Sequence, residues 1–369
     1  MSDAEATASQ ADAYRLYPRP VKFHALMPDA STARVLVIQT AFLGDVVLTT
    51  PLLEALAQRH GAVDVVTTPA AAPLVETHPS VRRVISYDKR GKDRGLSGFV
   101  RLGRALRAAH YEVAFLPHRS LRSALLALLA RVPRRIGFAD GWPLLYTEAR
   151  ARPVDGHEID RMLALAEAPS GSFAPRIYPT PGDEQTAAAF LAAAGVRGVD
   201  EFVTLAPGSI WGSKRWPYYE ELAGRLAPRC AVVVVGGPED SALGEAIVKA
   251  VTRSGGRAVD ACGRLTLRQA AVLIRRAMLL VTNDSAPLHL ASAMGTPVVA
   301  LFGPTIPEFG FGPIAADDAT LGVTGLVCRP CSDHGPPACP LGHHRCMKDL
   351  RVATVLATIE ETGALRRRD

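Results

Sequence analysis

Apolar positions along the chain alternate between two periods. Short, mostly apolar runs read as buried strands: "RVLVIQ" (34–39), "VDVVTT" (63–68), "VRRVISY" (81–87), "YEVAFLP" (111–117) and "RRIGF" (134–138). Between them, apolar residues spaced by three and four predict helices over 51–59, 96–109 and 121–130. "HEIDRMLALAEA" adds one more helix. The segment "APSGSFAPRIYPTPGDE" (168–184) breaks the pattern with proline and glycine, and the linker is placed at 171–182 within it. The alternation then resumes. A helix over 184–194 is followed by the strands "FVTLAP", "CAVVVVGG", "AVDACG", "MLLVTND" and "PVVALFGP". The helices "YYEELAGRLA", "EDSALGEAIVKAV", "LRQAAVLIRRA" and "PLHLASAMG" lie between those strands. Regular strand–helix alternation is the pattern of parallel sheets. The expected fold is α/β, with two Rossmann-like doubly wound domains, 33–170 and 183–350, facing a cleft. Residues 1–32 are expected to be a flexible extension, and 351–369 a C-terminal helix and basic tail.

Composition narrows the class. The chain has 369 residues, 48% of them hydrophobic and only 6% aromatic, which is ample material for two cores. No apolar run approaches the roughly 18 residues of a membrane span. The first ~30 residues are polar and alanine-rich without an apolar signal core, so a cytoplasmic protein is expected. The net charge is +6, unevenly spread. From Arg82 to Arg135 fourteen basic residues face only Asp88, Asp93 and Glu112, a local excess of +11. Such a stretch is either a solvated face or a surface for nucleic acid, phospholipid or a phosphorylated glycan. No aromatic residues interleave with the arginines as base stacking requires, so an anionic lipid or glycan is expected and nucleic acid is not.

Candidate chemistry gathers at strand ends. In "TAFLGDVVLTTPLLEAL" (40–56), Gly44 and Asp45 sit where a strand gives way to a helix. Asp45 there is either a helix cap or a group facing a substrate. The turn has one glycine, not G-x-G-x-x-G, and no Walker A lysine motif occurs. In "APGSIWGSKRWP" (206–217), Gly208 lets a ligand approach the backbone, Ser209 offers a hydroxyl and Lys214 a compact positive charge. The alternative is an ordinary loop with a surface lysine. In "TNDSAPLHLASAMGTPVVALFGPT" (282–305), Asn283 and Asp284 end a strand, Ser285 is the expected N-cap and Pro287 suits the first turn. Free N–H groups at that helix start suit phosphate. His289 lies one turn in, as a ligand contact or a structural histidine, and Glu239 in "GGPED" is placed to take a ribose hydroxyl.

These segments, with "CRPCSDHGPPACPLGHHRCMKDL" (328–350), resemble glycosyltransferase family 9 in the same order over about 34–362. Within it they resemble most the lipopolysaccharide heptosyltransferases, nearer those that add the second heptose. The resemblance implies the B-type glycosyltransferase fold. It also implies inverting transfer of L-glycero-D-manno-heptose from ADP-heptose to the Kdo/heptose inner core of lipopolysaccharide, with no cofactor required. By the same resemblance Asp45 is the catalytic carboxylate, with Lys214 assisting departure of the diphosphate. Gly208, Ser209, Lys214, Glu239, Asp284, Ser285, Ala286 and His289 fall on the donor side. Ile210 stands where the first-heptose enzymes often carry a second hydroxyl. The first domain then holds the Kdo–lipid A acceptor near Gly44 and near His118, Arg119 and Ser120 of "PHRS", peripheral to the anionic inner face of the inner membrane. The competing readings are a family 9 transferase for another nucleotide sugar and acceptor, a nucleotide-sugar epimerase of the same architecture, and a non-catalytic module built around the cysteine loop. The basic first domain argues against the epimerase, and the joint presence of Asp45 and Lys214 against the module.

Cys230 and Cys262 lie in apolar surroundings as core thiols. Cys328, Cys331, Cys339 and Cys346, spaced C-x2-C-x7-C-x6-C with His343 and His344 nearby, suit a structural zinc, an iron–sulfur cluster, a reduced thiol loop or a loop that forms disulfides on isolation. The metal assignment stays open.

Overall fold

The computed structural model describes residues 33–196 and 202–365; the extension expected over 1–32 lies outside them. The first half runs β1 (Val35–Ile38), α1 (Leu43–His60), β2 (Val63–Thr67), α2 (Ala72–Val75), β3 (Val81–Ser86), α3 (Gly95–Ala108), β4 (Val113–Leu116), α4 (Leu121–Leu129), β5 (Arg134–Phe138), β6 (Glu148–Arg150) and α5 (Glu158–Leu165). The second runs α6 (Pro181–Ala193), β7 (Phe202–Ala206), α7 (Tyr219–Leu226), β8 (Ala231–Val234), α8 (Ser241–Arg253), β9 (Ala258–Asp260), α9 (Leu267–Arg276), β10 (Leu280–Asn283), α10 (Ala286–Met294), β11 (Val298–Leu301), β12 (Ala319–Leu321), α11 (Arg345–Lys348) and α12 (Val352–Glu361).

The first sheet has the order β3-β2-β1-β4-β5-β6 and the second β9-β8-β7-β10-β11-β12, with every pairing parallel. The two orders are the same doubly wound pattern, repeated. Each sheet therefore reverses direction once, between β1 and β4 and between β7 and β10. The central strands are apolar on both faces because helices cover both sides.

Three local departures from the sequence reading have physical causes. Helix α1 begins at Leu43, eight residues before the expected start at 51, and carries Pro51 inside it. Proline has no N–H for the Val47 carbonyl, and Thr50 Oγ1 donates to that carbonyl instead at 2.8 Å. Helix α6 begins at Pro181, not 184, because Thr180 caps it and Asp183 reciprocates by accepting from Thr180 N–H at 2.9 Å. Strands β6 and β12 have three half-exposed or exposed residues each, too few for a periodic signal.

The two sheets meet through helices. One apolar cluster continues from Val35 on β1 through Val46 and Leu53 on α1 to Leu288 and Ala291 on α10 and Phe202 on β7. Polar ties flank it. Glu158 N–H donates to Gly310 O at 2.8 Å, and Arg161 Nη1 donates to Phe309 O at 2.7 Å. On the other side Arg268 of α9 reaches Pro73 O and the Asp183 carboxylate, each at 2.8 Å.

Candidate active site

In a doubly wound sheet the loops flanking the reversal leave a crevice at the carboxyl edge of the strands. In the first sheet those loops follow β1 and β4 and carry Gly44, Asp45 and His118 to Ser120. In the second they follow β7 and β10 and carry Gly208 to Lys214 and Asp284 to His289. Glu239 lies after β8, exposed in the turn Pro238–Asp240.

Asp45 is the third residue of α1. Its Oδ2 accepts from Phe42 N–H at 3.0 Å, which ties down the helix start. Its Oδ1 has no hydrogen-bond partner among the described residues. One oxygen of the carboxylate thus caps the helix while the other is left without a protein partner among the described residues. Burial pushes the Asp45 pKa up to about 6; the Phe42 N–H opposes this, Glu158 adds to the rise and Arg152 counters it. Such a group is ionised at neutral pH yet binds a proton far more tightly than a solvated carboxylate, as a general base should. Glu158 and Arg161 are buried on α5, which packs along α1; Glu158 is paired with both Arg152 and Arg161. The sequence reading took "HEIDRMLALAEA" only as one more helix and passed over these groups.

At Gly44 the two halves approach closely. A Cβ there would lie 2.5 Å from His289 Cδ2. His289 is buried, with its ring edge-on to Phe311 at 6.3 Å. Its Nδ1 is buried without a partner, and burial lowers its pKa to about 4, so the ring is neutral. The structure thus sets His289 against the first half's Gly44, at the seam beside Asp45.

Lys214 is buried, not on the surface. Its Nζ meets Asp284 Oδ2 at 2.6 Å, and Thr305 Oγ1 donates to the same oxygen at 2.7 Å. Ser285 occupies the N-cap of α10, but its hydroxyl turns to Asn283 O at 3.4 Å and no side chain caps the helix. The Leu288 N–H bonds Ser285 O at 3.1 Å, and no side chain takes the other N–H groups of the first turn. Ser209 Oγ accepts from Trp211 N–H at 3.3 Å, and Ser209 O accepts from Arg215 Nη2 at 2.8 Å, which fixes the loop's course. Gly208 is required by packing, since a Cβ would sit 2.2 Å from Asp240 Oδ2.

On the first sheet His118 is half-buried with Nδ1 unpartnered. Burial, then Lys89, Arg119 and His334, lower its pKa. Ser120 Oγ caps α4 by accepting from Ser123 N–H at 3.4 Å, and Arg119 pairs with Asp140 at 3.0 Å. Lys89 Nζ donates to Thr40 O at 2.8 Å, just beyond β1, so this lysine also belongs to the crevice. One lysine among fourteen basic residues carries no local signal that would single it out.

The cysteine loop crosses the second half's crevice. Cys331 N–H donates to Pro304 O at 2.8 Å, Ser213 Oγ bonds Pro336 O, and His344 Nε2 lies 2.7 Å from Ser213 O. Gly335, at φ +79°, runs over Lys214, where a Cβ would be 3.2 Å from Cε. His334 reaches the first half, edge-on to Phe42 at 6.0 Å. All six cysteines are free. Burial raises the Cys230 thiol to about 11 and pushes Cys262 up further, as core thiols. Burial also raises Cys339, but the N–H groups of His344, Leu341, Gly342 and His343 outweigh it and hold this thiol below its ordinary value. Among the described residues no three His, Cys, Asp or Glu side chains are gathered as metal ligands. Cys328 Sγ lies 3.9 Å from His343 Nε2, and burial together with Cys331, Cys339 and Cys328 nearby raises the Cys346 thiol to about 11; no chemistry is routed through a metal at this loop.

Two doubly wound halves with reversal-point loops at the carboxyl edges of their strands are the architecture of B-type glycosyltransferases. The model of glycosyltransferase family 9 (heptosyltransferase) matches residues 99–339, and the chain belongs to that family. It is 28% identical over 299 residues to lipopolysaccharide heptosyltransferase 2 of Salmonella typhimurium, covering 75% of this chain and 84% of that one. The solved structure of a family 9 glycosyl transferase from Veillonella parvula superposes with a TM-score of 0.79 at 24% identity, covering 93% of this chain and 100% of that chain. E. coli ADP-heptose LPS heptosyltransferase II superposes with a TM-score of 0.73 at 25% identity, covering 89% of this chain and 98% of that chain.

Proposed function

We propose that this chain transfers L-glycero-D-manno-heptose from ADP-heptose to the Kdo/heptose inner core of lipopolysaccharide, with inversion. The observation that carries the chemistry is the arrangement of Asp45 at one reversal point and an uncapped helix start beside Lys214 at the other. The sugar and acceptor follow from the names of the relatives. The acceptor hydroxyl attacks the anomeric carbon on the face opposite the diphosphate. The new C–O bond forms as the bond to the phosphate oxygen breaks, ADP leaves with that electron pair, and the hydroxyl proton passes to Asp45 Oδ1. A positioned base contributes roughly 10²–10⁴-fold. Charge developing on the diphosphate is met by the N–H groups of α10 and by Lys214, whose partner Asp284 holds it at the crevice until the donor arrives. His118, Arg119 and Lys89 face the carboxylates and phosphates of the acceptor. This reading needs no cofactor.

No helix among the described residues is long and apolar enough to cross a membrane. We place the enzyme in the cytoplasm, peripheral to the inner face of the inner membrane, where its lipid-anchored acceptor lies. The decisive experiment is a donor screen on a truncated Kdo-bearing acceptor. Turnover with ADP-heptose, at least tenfold above that with other nucleotide sugars, is expected. A higher kcat/KM with any other donor would replace the assignment.

A further inference from the structure

We propose that the first half docks on an anionic bilayer through one mixed apolar and basic face built by α3, α4 and the turn Pro143–Leu145, beside the acceptor crevice. The role given to this face rests on the acceptor proposed above; the docking itself does not. Helix α4 buries Ala124, Leu126 and Ala127 against the sheet, as an amphipathic helix should. Its opposite side is also apolar: Leu121, Leu125 and Leu128, at spacings of four and three, all face solvent. Next to α4 the turn after β5 exposes Leu144 at 99% and Trp142 at 42%, and Leu96 at the start of α3 is 76% exposed. Half of the twelve large exposed hydrophobics among the described residues fall between positions 96 and 144. The others are scattered over separate loops and need no such explanation.

The charge around this face is mainly positive, and the acids that fall there, Asp93 and Asp140, are paired with Arg101 and Arg119. Helix α3, packed beside α4, exposes Arg104 and Arg107, with Arg94 at its N-cap, and none of the three is in an ion pair among the described residues. Part of the excess predicted over 82–135 is neutralised elsewhere, since Asp64 takes Arg82 and Arg83 and Glu148 takes Arg134. Arg104 and Arg107 lie on the helix that packs against α4, and Arg94 lies two residues before the exposed Leu96. Apolar side chains rimmed by unpaired arginines complement an anionic lipid surface, where each added cation strengthens partitioning roughly fivefold. The topology supplies the location. Helices α3 and α4 and the turn all follow parallel strands, so they begin at the carboxyl edge of the sheet, where Asp45 and His118 lie. A headgroup bound at His118 and Arg119 would thus have its acyl chains beside Leu121 and Trp142.

The test uses the full chain and vesicles free of acceptor, of phosphatidylglycerol/phosphatidylethanolamine or of phosphatidylcholine alone. Wild type should sediment with the anionic vesicles, less at high salt, and little with the neutral ones. Leu125→Glu/Leu144→Glu should lower anionic partitioning at least tenfold, with an unchanged melting curve and an unchanged kcat/KM on a water-soluble truncated acceptor. Leu96→Glu, on a different helix, should lower it in the same direction. Equal binding to neutral vesicles, or partitioning unaffected by the substitutions, overturns the proposal. So does a wild-type dimer in sedimentation velocity that the double variant abolishes, which would give the face to a second copy. A vesicle result that holds while the donor screen fails would remove the sugar assignment and leave the docking face standing.

Discussion

Asp45→Asn separates a catalytic carboxylate from a structural cap, because the two roles predict opposite changes in stability. Asparagine keeps an oxygen for Phe42 N–H, so the hydrogen bond at the helix start survives. It removes the ionised group that burial disfavours. The folded pKa, about 6, lies above the ordinary 3.8. The native state therefore holds the proton more tightly than the unfolded chain. Wild-type stability falls as pH rises from about 4 to about 6 and is level above that. A shift of about two units corresponds to at most ~3 kcal/mol, and residual solvent at the half-buried carboxylate reduces this to about 1–3 kcal/mol. The variant should accordingly melt higher than wild type at pH 7.5 and match it below pH 4. Transfer should fall by on the order of 10²–10⁴-fold, with ADP affinity by calorimetry little changed. The wild-type kcat/KM profile should show an acid limb near pH 6, absent from the residual activity of the variant. Wild-type-like turnover would remove Asp45 from the chemistry. A variant destabilised at pH 7.5, with no relief on acidification, would make the carboxylate a cap alone.

Lys214→Ala should lower kcat and weaken donor binding together, and should cost about 3–5 kcal/mol of stability because it strands Asp284 as a buried unpaired charge. Adding Asp284→Asn should restore the melting temperature without restoring transfer; recovery of both would make the pair structural. Gly44→Ala sets a methyl against His289, so a loss of roughly 1–3 kcal/mol is expected in denaturant titrations, relieved by His289→Ala. No relief in that double variant would mean the contact does not govern how the halves meet. Iodoacetamide on the native chain should label Cys339 first and Cys262 last, and elemental analysis after chelation should find less than about 0.1 equivalent of zinc per chain. A retained equivalent that protects Cys328, Cys331, Cys339 and Cys346 from labelling would assign a structural zinc to the loop.

The doubly wound halves, the order of their elements and the loops that bear the chemistry were legible in the chain, because periodicity is local. A strand run such as "AVVVV" or the helix after Asp45 announces itself within ten residues. Asp45, Lys214 and the Ser285 helix start could be found for the same reason: each sits where one period gives way to the other. The tertiary structure alone decided what those groups face. That one oxygen of Asp45 is held by Phe42 while the other stays open follows from the fold around α1. The pairing of Lys214 with Asp284 joins residues 70 apart, and the seating of His289 against Gly44 joins opposite halves. Lys89 at Thr40, Glu158 near Asp45 and the placing of the cysteine loop over Lys214 were silent in the sequence for one physical reason. A side chain's electrostatic and steric environment is set by whatever the topology packs against it, and these partners are supplied by segments far away along the chain.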